Sequence, residues 1–419
     1  MRIWYSIANR SLRKSSLVGS RRVLLLCFSA VFAQNMSVVA YAPILAILKS
    51  ELLLSYTEAG MVASAYFIGY AIGQIPWGLL ADRYGGKRIV AAGLLGAGAS
   101  TGLFAFSASG GIAVILRFIC GLLAAGIFVP SIRIVSDWFP QSKRGVALGT
   151  LGVGSSLATL VVGFTMPLLT ANLGWRLAIQ VFAAVSVADA GILWVLLRDH
   201  PSRRLEKAKL DECSFAPQPI RDRGFWILGY VQFVRYGFHN ALVAWIPLFL
   251  GEAFGMSLLL AGAAISWIFM ITMISDPLGG LISDKVGRAP VMSVSLFVLA
   301  VLVSGIALNR NPTLIWILLA GIGWFVEFYR GPLFAAVPDR YGIERTGSVS
   351  ATHNTFAAAG AFVVPLLYGW LRDLSGAFWF GWLAIAGLLL SAAVFVVVLP
   401  KTASHRQYDP ESGCRLASP

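Results

Sequence analysis

The chain has 419 residues and a formal net charge of +14, yet only 12% of it is charged and 58% is hydrophobic. Soluble globular proteins carry about 25% charged residues, so this composition argues against a water-soluble domain and makes lipid the solvent for most of the chain. The positive charge is not the mark of a nucleic-acid binder, because the cations sit in short segments between apolar runs.

In chain order, residues 1–21 are basic and polar, and an apolar run follows from 22 to 46. That run is longer than the core of a secretory signal and has no clear A-x-A site, so it reads as a first membrane helix. Eleven more runs long enough to span a bilayer follow, at 57–81, 88–109, 111–136, 145–170, 175–197, 225–250, 257–282, 289–308, 313–337, 346–371 and 377–399. With the N-terminus inside, the inner loops carry Arg83, Lys87, Arg88, Lys143, Arg144, Lys285, Arg288, Arg340 and Arg345, and more in the 199–224 stretch. The outer loops hold only Lys49, Arg176, Arg310 and Arg372. Cations concentrate on the cytoplasmic side of membrane proteins, so the net charge is a topology signal, and both termini are expected in the cytoplasm, at the inner membrane.

The expected organisation is a cytoplasmic segment (1–21), a six-helix bundle (22–198), a polar linker (199–224), a second six-helix bundle (225–400) and a cytoplasmic tail (401–419). Four cysteines (Cys27, Cys120, Cys213, Cys414) and four histidines are dispersed, with neither a disulfide framework nor metal-ligand spacing. No Gly-rich phosphate loop or Ser/His/Asp constellation gathers in a polar segment, so an enzyme is not expected, and no cofactor.

The two bundles repeat each other. "GLLADRYGGKRIV" (78–90) returns as "GGLISDKVGRAPV" (279–291), with Gly78 and Asp82 answered by Gly280 and Asp284 at a spacing of 202. Ala59-Gly60 and Ala261-Gly262 keep that spacing, Pro43 and Pro247 lie 204 apart, and two further pairs, Pro140 with Pro338 and Pro167 with Pro365, lie 198 apart. One six-helix unit has been used twice in parallel orientation.

These motifs resemble the major facilitator superfamily. "GLLADRYGGKR" is similar to its signature between helices 2 and 3, "GLISDKVGR" to the weaker echo between helices 8 and 9, and "RFICGLLAAG" to its helix 4 pattern. The resemblance covers about residues 22–400. It implies an all-α membrane protein with twelve transmembrane helices, two six-helix pseudo-repeats around a central cavity, working by alternating access. One place departs from the pattern. The family's basic residue four places after the motif Asp is here Gly86, followed by Lys87 and Arg88, whereas the second copy keeps Arg288. In the family the motif is an inner latch. The resemblance carries that role to Gly78, Asp82, Arg83, Gly85, Lys87, Arg88, Asp137, Asp284, Gly287 and Arg288. Lys87, Arg88 or a helix N-terminus of the other half could partner Asp82. Asp276, near the second motif, is read as part of the latch.

Charge inside a span costs about 2.5–3.5 kcal/mol on insertion scales, so each instance needs a reason. Arg117, Arg235, Glu327 and Arg330 fall on helices 4, 7 and 10, which in the resembled fold line the cavity with helix 1. Gln232, Arg235 and His239 form one stripe at i, i+3 and i+7. Gln34 and Asn35 on helix 1, Tyr66 and Tyr70 on helix 2, Asn240, Tyr329, and Asn354 beside His353 complete the candidate substrate set. A guanidinium suits a carboxylate or phosphate, so Arg235 is the first candidate for substrate, with an ion pair to Glu327 as the alternative. Glu327, Arg330 and Arg117 are candidates for coupling to protons, though Glu327 and Arg330 could simply pair at i, i+3. Asp189 on helix 6 reads as a structural, neutral carboxyl.

The expected function is secondary transport of a small organic anion, coupled to protons or by exchange, by a chain able to act as a monomer. "WIPLFLGEAFGMSLLLAG" (245–262) is similar to anion-carrying branches of the family, although their helix 1 cation is replaced here by Gln34-Asn35. The alternative is a proton-driven exporter of hydrophobic or cationic compounds. Against it, the exporters' G-x-x-x-G-P pattern is missing from helix 5, and two cavity arginines would repel a cation.

Overall fold

The computed structural model describes residues 2–199 and 219–399. Most of the expected linker and the whole expected tail lie outside the described residues, as do the side chains of Asp82, Lys143, Arg144 and Arg345. The described chain is helical throughout, without strands. Its helices are α1 (Arg2–Val39), α2 (Leu45–Glu51), α3 (Tyr56–Tyr84), α4 (Gly86–Phe104), α5 (Gly110–Ala124), α6 (Phe128–Trp138), α7 (Gln141–Leu196), α8 (Arg223–Phe254), α9 (Leu258–Val286), α10 (Arg288–Leu308), α11 (Pro312–Phe325), α12 (Arg330–Tyr341), α13 (Ile343–Ser375) and α14 (Phe378–Val397).

These helices supply the twelve expected crossings. Among the described residues, eight segments are long and apolar enough to cross a membrane. One of them, Val146–Leu196, is bent at Gly174 (φ 78°) and makes two crossings. The other three crossings are α3, α4 and α8; α3 and α8 carry the polar stripes that lower their hydropathy. Residues 2–21 are not separate from the first crossing, since α1 runs through them without a break.

Three crossings are interrupted within their length. The first stops at Val39, turns through a 3-10 segment (Ala42–Ile44) at Pro43 and resumes as α2. The fourth breaks between Ala124 and Phe128, and the tenth between Phe325 and Arg330. Pro130 and Pro332 follow those two breaks within a few residues. A proline lacks the N–H that would bond to the carbonyl four residues back, and its ring clashes with that carbonyl. The repeat is visible in the turns as well. Gly85 (φ 97°, ψ 147°) and Gly287 (φ 105°, ψ 152°) adopt the same positive-φ conformation between successive helices, while Gly174 and Gly376 share a positive φ but differ in ψ (156° and 4°). Pro140 and Pro338 are not equivalent: Pro140 precedes α7, whereas Pro338 lies inside α12.

The two halves meet where α3 packs on α13 and where α7 packs on α9. The α7–α9 seam is close: Ser266 Oγ donates to the Leu160 carbonyl at 2.7 Å, and a Cβ on Gly163 would meet the Gly262 carbonyl. On the face opposite the basic loops, Asp373 of the second half accepts from the Tyr56 and Thr57 N–H groups at 3.0 and 2.7 Å, capping α3. Tyr56 donates to Glu252 at 2.5 Å, and Lys49 and Arg372 stack on its ring.

Candidate functional site

The charged residues of the second half converge on the break in the tenth crossing. Glu327 sits in that break and is 3% exposed. Its Oε2 accepts from Arg235 Nη1 at 2.7 Å, and its Oε1 is 2.8 Å from His239 Nδ1. Arg330 Nε is 3.7 Å from the same carboxylate. Arg330 binds Asp276 of α9 two-pronged, with Nε 3.2 Å from Oδ1 and Nη2 on Oδ2. Arg235 also donates to Gln232 at 3.2 Å, so the stripe at i, i+3, i+7 is a single hydrogen-bonded unit. Two guanidiniums and two carboxylates make this cluster neutral when His239 is neutral, and burial of charge on this scale requires such pairing. Aromatic rings wall it: Tyr236 stacks on His239, Phe269 meets His239 edge-on, and Arg235 lies over Phe334.

An aromatic chain continues from the cluster into the first half. Phe67 meets Tyr236 at 6.1 Å across the seam, and Tyr66 touches Phe67 and stacks on Tyr70. Gln34 donates to the Tyr66 hydroxyl at 3.4 Å, and its own Oε1 is buried without a partner. Tyr70 sits beside Gln34, Gln74 and Tyr236. Tyr329, next to the break, is fully buried with an unpartnered hydroxyl. The structure therefore gathers Arg235, His239, Glu327, Arg330, Tyr329, Tyr66, Tyr70 and Gln34 into one region.

The other candidates sit elsewhere. Arg117 has no carboxylate partner among the described residues. It donates to the carbonyls of Ser37, Val38 and Val62 and lies 4.3 Å from the Tyr41 ring. Ser37 and Val38 are the last residues before α1 stops, so Arg117 covers carbonyls that the interrupted helix leaves open. Asn35 ties α1 to Ser155 of α7, and Asn240 bonds to the Tyr236 carbonyl of its own helix. Asn354 is exposed, one helical face with Ala361, which packs into the first half's core. His353 is buried against the Phe225 carbonyl. Asp189 accepts from Ser29 at 3.0 Å.

Asp276 is the member that the sequence reading misplaced. It lies eight residues before Asp284, about 12 Å along a helix, and belongs to the cluster and not to the basic-face knot. A lone acid with no cation within one turn was the signal for a partner on another helix. In the second knot, Arg288 joins Asp284 to Asp339, 3.2 Å from the latter, and also donates to Ser283. In the first, Asp199 accepts from the Lys87 N–H at 3.0 Å, at the start of α4. Asp137 is in the last turn of α6, and Arg83 lies over the Tyr84 ring. A Cβ on Gly78 or Gly280 would meet nothing within 4 Å.

A twelve-crossing, two-fold repeated bundle with a charged cluster at a broken helix defines a class of membrane transporters, and the comparisons agree. The sequence matches the Major Facilitator Superfamily over residues 24–275 and 271–413, and the chain belongs to that family. It is 27% identical over 383 residues to the probable sulfoacetate transporter SauU of Cupriavidus necator, covering 85% of this chain and 87% of that one. It is also 27% identical to the cis,cis-muconate transport protein of Acinetobacter baylyi, covering 87% and 89%. Among solved structures it resembles a bacterial homologue of the human lysosomal transporter Spinster, inward-facing and occupied. The TM-score is 0.79 at 16% identity, over 91% of this chain and 97% of that one.

Proposed function

We propose that this transporter moves a small organic anion by alternating access, together with protons or in exchange for a second anion. The observation that carries the reading is the Arg235–Glu327–His239 and Arg330–Asp276 cluster, a buried polar network of two guanidiniums at a helix break beside the seam between the halves. The relatives named for sulfoacetate and cis,cis-muconate support an anionic cargo. Moving one charge against 100 mV costs about 2.3 kcal/mol, so uptake into a negative cell needs a compensating proton or counter-anion. A carboxylate of this cluster, Glu327 or Asp276, takes that proton. The basic face is then cytoplasmic, in the inner membrane, and the contacts on the opposite face hold an inward-facing state with the N-terminus inside. A single chain suffices for the cycle.

The test is thermal stabilisation of the purified protein by sulfoacetate, cis,cis-muconate, simple carboxylates, phosphate, sugars and lipophilic cations. A ligand at a hundredfold over its dissociation constant should stabilise by about 2.7 kcal/mol. An anion response supports the reading; a response to lipophilic cations alone sinks it.

One observation favours a second reading, a proton-driven exporter of hydrophobic compounds. An apolar groove of about 520 Å³ runs along the α7–α9 seam, walled by Leu160, Phe164, Trp267, Met270 and Trp316. It carries no charge, so it would suit a lipophilic cargo and not an anion.

A further inference from the structure

The geometry points to Arg330, and not Arg235, as the guanidinium that receives the anion, and to Asp276 as the side chain the anion displaces. This rests on the anion-transport reading above. Arg235 is 5% exposed, and its Nε and Nη1 are engaged within its own half, by Gln232 and Glu327. The Arg330 side chain is 30% exposed and its partner Asp276 20% exposed. Arg330 also lies at the seam: a Cβ on Gly152 of the first half would stand 3.7 Å from its Nη2. Its guanidinium is therefore the one an anion between the two halves meets first.

Asp276 already presents to Arg330 what a substrate carboxylate would present, two oxygens on Nε and Nη2. An incoming carboxylate takes that place edge for edge. The released Asp276 then stands beside Glu327 with no cation of its own. It takes one proton from water, forming a neutral carboxylic acid. The cluster's net charge is zero before and after, because each carboxylate delivered to Arg330 is accompanied by one proton. When the substrate leaves, Asp276 gives up the proton and re-forms the pair. The charged groups facing Asp276 are Arg330 of α12, Glu327 in the break and Arg235 of α8, with His239 acting through Glu327. The charged side chains described on α7 and α10 lie elsewhere: Arg176 on Glu51, Asp189 on Ser29, and Arg288 on Asp284 and Asp339.

The experiment is calorimetric titration of the full-length protein in detergent with sulfoacetate and cis,cis-muconate, in buffers of different ionisation enthalpy. The wild type should take up about one proton per anion, and its affinity should fall about tenfold per pH unit on the alkaline side. Asp276→Asn should bind at least as tightly, take up about no proton and show a flat pH profile. Arg330→Gln leaves a buried acid unpaired, so the charge-balanced Arg330→Gln/Asp276→Asn variant is used as well. It should lose about a hundredfold in affinity, the value of two charge-assisted hydrogen bonds, while Arg235→Gln/Glu327→Gln stays within about tenfold. If Asp276→Asn still takes up a proton, or the two double variants exchange places, the inference fails and the anion reading stands. If the wild type binds none of the anions at any pH, the anion reading fails and the inference with it.

Discussion

The two halves share a frame and differ in chemistry. At a spacing of 202 residues, Gly85 answers Gly287, Gly121 answers Gly323, Pro130 answers Pro332 and Gly174 answers Gly376. The breaks in the fourth and tenth crossings follow from that punctuation. What stands at the breaks has diverged. The counterpart of Glu327 is Ala125, that of Arg330 is Phe128, and that of Asp276 is Gln74. The first half turns a neutral aromatic wall to the seam and spends its buried cation, Arg117, on the open carbonyls of α1, whereas the second gathers its ions at the break. A broken helix supplies the place where a polar group can be buried, and the side chain put there is a separate decision.

The same exchange appears in packing. Trp77 of α3 lies on Gly126, where a Cβ would come within 2.9 Å of the indole. In the second half the large and small partners are swapped, with Gly279 against Phe328, whose carbonyl a Cβ would overlap at 1.7 Å. The charged knots also diverge at one decisive aligned position, Gly86 against Arg288. Arg288 bridges two acids, whereas at Gly86 a Cβ would already strike Ile134 at 2.8 Å, so the first knot has no room for the same cation.

The largest expected effect breaks the charge asymmetry. Glu327→Ala leaves Arg235 buried and uncompensated, which costs about 3–5 kcal/mol, and it should abolish transport. Arg235→Gln/Glu327→Gln should recover the melting temperature without recovering transport. If the single variant melts like the wild type, the cluster is not holding the second half together.

The packing asymmetry predicts a smaller gap. Gly279→Ala meets backbone and should cost about 1–3 kcal/mol, whereas Gly126→Ala meets a side chain that can shift and should cost less. Equal melting temperatures for the two variants would show that the halves tolerate added volume alike.

The opposite-face contacts come next. Asp373→Asn weakens an inter-half cap worth about 0.5–2 kcal/mol and should move the equilibrium toward opening on that face. The readout is labelling of a Leu366→Cys probe, in a background without the native cysteines, by an impermeant maleimide. Unchanged labelling would mean that the cap does not bias the states.

Much of this was legible in the sequence. Mid-span charges announce themselves because lipid makes them costly, and the spacing of glycines and prolines exposed the repeat. The breaks did not show, because Pro130 and Pro332 lie inside apolar runs and hydropathy does not register them. With the breaks hidden, the donors of Arg117 had no visible use, and Glu327 could not be placed at a helix end. Asp276 was read with the nearby knot because sequence proximity stood in for distance along a helix. Pro140 and Pro338 matched as residues without matching as positions.

The smallest effect tests the basic ends of the halves. In the second, Asp222 caps α8 and accepts from Arg340 at 2.6 and 2.9 Å and from the Tyr341 hydroxyl at 2.6 Å. In the first, a ring fills the corresponding corner, with Trp138 against Gly19. The Arg340 hydrogen bonds hold the Asp222 carboxyl well below the usual carboxylate range, against the opposing effect of burial. A lowered folded value stabilises the protein above the unfolded value, about 4, and the contribution is lost as pH falls through the folded one. Asp222→Asn should therefore cost about 1 kcal/mol or less near neutral pH, and the gap to the wild type should narrow in acid. A gap that stays constant across pH would show that the corner is held by shape, as in the first half, and not by charge.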